Sequence, residues 1–150
     1  MRTIDGRSFT LRDLYPDQVF LPTRIETRAQ ARMIASLEVV RHVIEREQAI
    51  YGVTTGFGDL CDIPIPADQL RELQVNLVRS HACAVGEPLT PEITAAMMLA
   101  RANALAVGAS GIRPDVGSQI LLMLEHRIIP VVPRIGSLGA SGDLAPLAHA

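Results

Sequence analysis

The residues best suited to chemistry lie in a segment of small residues near the end of the chain, residues 135–149. At its centre, residues 139–143 read Gly-Ala-Ser-Gly-Asp. Two familiar serine and glycine motifs do not fit. No lysine follows at the spacing of a phosphate-binding loop, and Leu138 stands where a nucleophile elbow requires its first glycine. The segment is therefore either a reactive loop of another kind or an ordinary Gly-rich turn. The tripeptide Ala-Ser-Gly at residues 140–142 alone does not decide between them.

A second copy of the same tripeptide shows why the longer string matters. Residues 108–111 read Gly-Ala-Ser-Gly. Gly108 follows a long apolar stretch in the position of a glycine that ends a helix, and Pro114 is placed to open the next helix. We interpret this copy as a helix stop and turn without a catalytic group.

Two further segments carry residues that could act on a substrate. Residues 51–58 read Tyr-Gly-Val-Thr-Thr-Gly-Phe-Gly, and three glycines in so short a stretch predict a mobile loop that can close over a substrate. Residues 76–88 read Asn-Leu-Val-Arg-Ser-His-Ala-Cys-Ala-Val-Gly-Glu-Pro. Taken alone, Tyr51 could pack on the body of the protein, and His81 could be a helix-terminal histidine favoured by the helix dipole.

Together, the three segments resemble the prosthetic-group loop, the tyrosine loop and the substrate-selectivity segment of the histidine/phenylalanine/tyrosine ammonia-lyase family. The resemblance runs from about Thr3 to Ala150. Family chains are several times longer, so it covers only their N-terminal portion. We therefore expect residues 1–150 to be a single incomplete domain, either a fragment or one part of a divided or processed protein.

The resemblance implies a prosthetic group made from the chain itself. In this family an Ala-Ser-Gly tripeptide cyclises autocatalytically to 4-methylidene-imidazol-5-one (MIO), with no metal. Here the amide nitrogen of Gly142 would attack the carbonyl carbon of Ala140, and Ser141 would lose its hydroxyl so that its Cβ becomes the electrophilic carbon. Gly142 suits this chemistry because it has no Cβ and tolerates strained backbone.

The resemblance also implies roles for other residues. Tyr51 would take part in proton transfer, which requires the pKa of a phenol, ordinarily about 10, to be lowered. Gly58, His81 and Leu138 would contact the substrate. A histidine stands at the position of His81 in histidine- and tyrosine-type members, where it could hydrogen-bond a polar ring substituent.

Thr54 and Ala84 depart from the family pattern, and Asp143 also has a simpler structural interpretation. Thr54 replaces the asparagine of most histidine-type loops, which weakens a histidine assignment. Ala84 replaces a usual glycine, so its methyl group could alter either the pocket or the turn. Asp143 is as well explained by capping the helix that follows the tripeptide as by a role in cyclisation.

The implied activity is that of an aromatic L-amino-acid ammonia-lyase, which eliminates ammonia to give an α,β-unsaturated acid. L-Histidine, L-tyrosine and L-phenylalanine remain open as substrates. An aromatic 2,3-aminomutase of the same family is one alternative, and a catalytically silent helical module that only assembles is another. The implied partners are a small amino-acid substrate and either the other subunits of a homotetramer or a missing C-terminal part.

Composition excludes several other function classes. The chain has 150 residues, a net charge of −2 and 48% hydrophobic residues. With no basic patch we expect no nucleic-acid partner. The longest apolar run, residues 93–107, is interrupted by polar residues and is too short to span a bilayer, so we expect no membrane insertion. The start of the chain lacks an apolar signal region, and a cytoplasmic protein is expected.

The pattern of apolar residues predicts a mainly α chain, the N-terminal part of the ammonia-lyase helical bundle, with a Gly-rich tyrosine loop. Residues 1–25 are expected to be irregular apart from a helical turn near residues 10–15. Helices are expected from a capping box at Thr27, from an N-cap at Asp68, from 91 to 107, from 114 to 126, and from just after Gly142. The third of these is apolar nearly all round and should be buried between other helices.

Overall fold

The computed structural model describes the backbone of residues 1–150 and every side chain except that of Ser141. The helices are α1 (Thr27–Glu45), α2 (Leu70–His81), α3 (Pro91–Ala106), α4 (Pro114–Glu125) and α5 (Leu144–His149). The strands are β1 (Arg2–Ile4), β2 (Thr23–Ile25), β3 (Val85–Pro88) and β4 (Pro133–Ile135). Short 3-10 turns occupy Leu11–Leu14, Gly58–Leu60 and Gly139–Ser141. The prediction of a mainly α chain is confirmed.

The hydrophobic core lies between α1, α3, α4 and the parallel pair of β1 and β2. Its fully buried members are small or aliphatic, as expected for a chain with only 3% aromatic residues. They include Ile4, Val19, Ile25, Ala29, Met33, Ala95, Leu99, Ala102, Leu105, Leu121 and Leu124. Helix α3 supplies the largest share of this core, which makes it the fixed element against which the candidate site is placed.

Helix α3 begins as the sequence predicts. The hydroxyl of Thr90 accepts a hydrogen bond from the backbone N–H of Ile93 at 3.4 Å, and Pro91 takes the first helical position. The expected burial on all sides is found on one side only. Ile93 remains 52% exposed, and the side of α3 away from the core borders an open cleft.

The turn after α3 confirms the interpretation of the second tripeptide copy. Gly108 has a φ of 81°, and a Cβ added there would lie 2.5 Å from the Cβ of Arg32. Arg32 donates hydrogen bonds to the carbonyl oxygens of Ala106 at 3.2 Å and Val107 at 3.1 Å. Since these carbonyls have no partner within the helix, Arg32 satisfies them and closes the helix end. The turn is accounted for by structure alone.

Two expectations about helix starts, and one about the first residues, are wrong. Residues 1–25 are not merely irregular, because β1 and β2 pair in parallel. That pairing continues through the N–H of Glu26, which donates to the oxygen of Ile4 at 2.9 Å. Glu26 therefore takes the N-cap position, and Thr27 is the first helical residue. The side chain of Gln30 donates instead to the oxygen of Ile25 at 3.0 Å.

Helix α2 likewise begins later than predicted. The N–H of Gln69 donates to the oxygen of Pro66 at 2.9 Å, so residues 66–69 form a turn and Gln69, not Asp68, precedes the helix. None of the residues of α2 is fully buried. Its predicted inward side is half-buried, at Leu70, Leu73 and Leu77. The helix therefore rests on its neighbours instead of entering the core.

A second, smaller layer carries the candidate site. Strands β3 and β4 pair in an antiparallel arrangement, with Val85 opposite Ile135. Val132 lies just before β4 as part of an extended link, and its oxygen accepts from the N–H of Leu89 at 2.8 Å. Helix α2 leads into β3, and β4 leads toward α5. The end of α2 and the start of α5 therefore meet at this sheet.

Candidate functional site

The proposed tripeptide lies on a tight loop between β4 and α5. Residues Gly139–Ser141 form a 3-10 turn, and the N–H of Gly142 donates to the oxygen of Gly139 at 3.2 Å. Gly142 has a φ of 88° and Asp143 a φ of 56°. Two consecutive residues are thus in the left-handed region, where a residue other than glycine costs about 1–3 kcal/mol. The side chain of Ser141 lies outside the described residues.

Asp143 holds the base of this loop. Its carboxylate accepts a hydrogen bond from the hydroxyl of Ser137, and its N–H donates to the oxygen of Leu138 at 3.4 Å. Asp143 occupies the N-cap position of α5, but its side chain makes no capping hydrogen bond. Simple helix capping therefore does not account for this carboxylate, which instead ties the two ends of the loop together.

The backbone at the tripeptide is open to its surroundings. A Cβ added at Gly139 or at Gly142 would meet no atom within 4 Å, and Ala140 and Gly142 are exposed. The need for glycine at position 142 comes from its positive φ, not from crowding. These features fit the ring closure that the resemblance implies, since Gly142 tolerates the backbone conformation that closure needs.

An apolar cleft borders the loop. It has a volume of about 420 Å³, within the range of small-molecule sites. The open side of α3 forms one wall, and the loop and the start of α5 form the other. The lining includes Met97, Arg101, Ser137, Gly142, Asp143 and Leu147. Gly142, the last residue of the tripeptide, thus borders a space that a small molecule could enter.

His81, the last residue of α2, has a defined ring orientation. Its Nδ1 lies 2.8 Å from the oxygen of Leu77. Because a carbonyl oxygen can only accept, Nδ1 carries the proton and Nε2 is left as an acceptor in the neutral ring. The half-buried imidazole can therefore accept a hydrogen bond from a donor such as a ring N–H or a phenolic hydroxyl.

The segment after His81 lies directly against the loop. The N–H of Ala84 donates to Nε2 of His149 at 3.2 Å. A Cβ added at Gly136 would lie 2.7 Å from the Cβ of Ala84 and 3.3 Å from that of Ala145. The Ala84 methyl group thus fills space that Gly136 leaves free, and its effect falls on the packing of the turn against β4 and α5.

Tyr51 does not line the cleft that borders the tripeptide loop. The Tyr51 ring is 63% exposed and lies edge-on to Phe57, with ring centroids 5.9 Å apart. Its hydroxyl makes no hydrogen bond to a described residue. Gly58 has a φ of 57°, and a Cβ there would meet only open space. Leu138 is 64% exposed beside the tripeptide. A role of Tyr51 at the tripeptide stays a prediction.

Thr54 has a structural task inside the tyrosine loop. It is buried, and its hydroxyl accepts from the N–H of Ile50 at 2.9 Å and donates to the oxygen of Gln48. A threonine here anchors the start of the loop. The residue that departs from the family's asparagine thus takes part in holding the loop.

Arg101 is a candidate residue that sequence reasoning missed. It lines the cleft together with Gly142 and Asp143, and its side chain is exposed. From the sequence it appeared only as an interruption of an apolar run. The available signal was a single cation in an otherwise apolar helix, a position that requires either solvent or an anionic partner.

No helix of the described chain is both long and apolar enough to cross a membrane. No group of three or more His, Cys, Asp or Glu side chains in that part of the chain is placed to hold a metal ion.

The sequence and the fold place the chain in a known class of proteins. Residues 18–150 match the family described as "Aromatic amino acid lyase". The chain belongs to this family.

The relatives include histidine ammonia-lyases and an aminomutase. The chain is 45% identical over 148 residues to a histidine ammonia-lyase of Alkaliphilus metalliredigens, covering 98% of this chain and 29% of that protein. It is 45% identical over 150 residues to a histidine ammonia-lyase of Bacillus velezensis, covering 99% and 29%. Its structure is similar to that of a tyrosine aminomutase from Streptomyces globisporus, with a TM-score of 0.87, 35% identity and coverage of 99% and 28%. The chain thus spans less than a third of the length of these relatives.

Proposed function

We propose that this chain supplies the electrophile loop and part of the substrate pocket of an aromatic L-amino-acid ammonia-lyase. The observation that carries the proposal is the placement of the tripeptide. Ala140 and Gly142 are exposed. Gly142 has a left-handed backbone and borders an apolar cleft. The substrate is a small aromatic amino acid, and the other partners are the remaining subunits of a homotetramer or a C-terminal part.

Ring formation uses the backbone of three residues. The Gly142 nitrogen forms a bond to the carbonyl carbon of Ala140, and one water leaves. Ser141 loses its hydroxyl and a proton from Cα, and a second water leaves. The bound MIO group supplies an electrophile that captures the substrate amine and makes it a better leaving group. The Ser137–Asp143 hydrogen bond holds the loop ends while this geometry is formed.

The other residues bind and orient the substrate or move its proton. Nε2 of His81 accepts a hydrogen bond from the aromatic ring substituent, while Gly58 and Leu138 contact the substrate. Tyr51 takes the β-proton once the tyrosine loop closes over the site. The three glycines of the tyrosine loop allow that closure. The buried Thr54 provides the fixed end about which the loop moves.

The likeness to a tyrosine aminomutase favours a second candidate function. A 2,3-aminomutase uses the same loop and returns the amine to the β carbon. The Thr54-Thr55 pair also occurs in sequences of that kind. Lyase and mutase then differ in whether the unsaturated acid leaves before the amine is added back.

Intact mass and product analysis of the complete gene product test the proposal. We expect a mass deficit of two waters, located to residues 140–142, and release of an unsaturated acid from L-histidine, L-tyrosine or L-phenylalanine. A β-amino acid as the main product would identify an aminomutase. A full mass with no turnover would leave a catalytically silent module and contradict the proposal.

His81 is expected to select the substrate without taking part in bond breaking. Replacing it with phenylalanine removes the acceptor at Nε2, so kcat/KM for L-histidine or L-tyrosine should fall relative to L-phenylalanine by roughly 10–100-fold. His126→Phe, at an exposed histidine at the end of α4, is the matched control. Unchanged relative kcat/KM values in His81→Phe would return His81 to a structural role.

A further inference from the structure

We propose that His149 is a positioning residue that fixes the turn after His81 against the helix that follows the tripeptide. The assignment rests on the proposed function. His149 does not line the cleft, so it acts through the residues that it holds.

The evidence begins with one contact between distant parts of the chain. The N–H of Ala84 donates to Nε2 of His149 at 3.2 Å, across 65 residues of sequence. An accepting Nε2 means that the ring is neutral with its proton on Nδ1. The pair joins the end of α5 to the turn that leaves α2.

The turn that follows His81 is held by two backbone hydrogen bonds. The N–H of Ala82 donates to the oxygen of Val78 at 3.0 Å, and the N–H of Cys83 donates to the oxygen of His81 at 2.8 Å. The backbone is therefore tightly wound from His81 to Ala84. Fixing the amide of Ala84 fixes the direction in which α2 ends, and with it the His81 ring.

Three segments of the chain also pack closely together near the hydrogen bond between Ala84 and His149. The space at Gly136 is limited by Ala84 and Ala145, at 2.7 Å and 3.3 Å from an added Cβ. Packing holds the segments together, but it is not directional. The hydrogen bond from Ala84 to His149 sets the rotation of the turn relative to α5, and so relative to the loop at residues 139–142.

Two substitutions in the complete gene product separate this role from a general structural one. His149→Leu keeps the bulk of the side chain but removes the acceptor, while His149→Gln places an amide oxygen near the position of Nε2. His126→Leu is the matched control for loss of a histidine. The measurements are hydrogen exchange of the Ala84 amide, intact mass, and kcat and KM on L-histidine, L-tyrosine and L-phenylalanine.

We expect His149→Leu to exchange the Ala84 amide roughly tenfold faster, consistent with the loss of one hydrogen bond. KM for the substrate whose ring hydrogen-bonds His81 should rise roughly tenfold, with kcat changed less than about twofold. The mass deficit of two waters should persist. His149→Gln should restore both the slow exchange and the low KM, and His126→Leu should resemble the wild type.

Unchanged exchange in His149→Leu would overturn the contact. Faster exchange with an unchanged KM, a lost mass deficit, or failure of His149→Gln to rescue would each overturn the positioning role. Failure of the proposed function is seen separately, as a wild-type protein of full mass without turnover. In that case the exchange measurement still decides whether His149 holds the turn.

Discussion

Replacing Ser141 with alanine is expected to abolish turnover in the complete gene product, a loss of at least about 10³-fold. Alanine has no hydroxyl to lose, so no electrophilic Cβ can form and the substrate amine remains a poor leaving group. The change removes one small group from a loop, and its effect on stability should be within about 1 kcal/mol. Intact mass should show that the dehydration of residue 141 is missing, while the unfolding midpoint is nearly unchanged.

The chain contains its own control for this experiment. Ser110 stands in the second Ala-Ser-Gly copy, in the turn where Gly108 packs against Arg32. Ser110→Ala should retain the mass deficit of two waters and full activity. Near wild-type turnover in Ser141→Ala, or a loss of turnover in Ser110→Ala, would contradict the assignment of the electrophile to residues 140–142.

Local signals made some elements predictable. The start of α3 follows from Thr90 and Pro91, because a capping hydroxyl and a proline act within one helical turn. The turn at Gly108 follows from a glycine after an apolar stretch. These features need no knowledge of the rest of the chain, and the structure has them where the sequence places them.

Features set by distant partners were missed. The pairing of β1 with β2 involves three residues on each strand, too few for a pattern of alternation to be seen. The same pairing decides that Glu26 precedes α1, which overrides the capping tendency of Thr27. Propensity at a helix end is worth about 1 kcal/mol, and a tertiary hydrogen bond to Ile4 is of comparable size.

The same difference between local signals and distant partners applies to the candidate site. The residue types of the site could be predicted from short motifs, because the chemical properties of glycine, serine and histidine belong to the residues themselves. The contacts between distant residues could not be predicted in this way. The bond between Ala84 and His149 joins residues far apart in sequence, and the cleft beside Arg101 exists only because α3 packs by one side. At Tyr51 the motif implies a role in proton transfer, and that role stays a prediction, since the ring lies edge-on to Phe57 here.

The 150-residue chain expressed by itself is expected to be inactive and to carry an uncyclised tripeptide. Ring closure requires the Gly142 nitrogen to leave the oxygen of Gly139 and approach the carbonyl carbon of Ala140. Each strained backbone position costs about 1–3 kcal/mol, which surrounding packing must hold. That packing is thin here, since α5 has six residues and so short a helix is marginal in water without support.

Exposed apolar surface supports the same expectation. Val78 on α2 and Ile93 on α3 are each 52% exposed, and Leu138 beside the tripeptide is 64% exposed. Surfaces of this kind favour association, so the isolated chain should elute as oligomers or aggregates in size-exclusion chromatography. Intact mass shows whether the tripeptide of the isolated chain is cyclised. The positive control is the same tripeptide in a gene product as long as the relatives. A deficit of two waters on the isolated chain would show that these 150 residues alone compress the loop, and the prediction would be wrong.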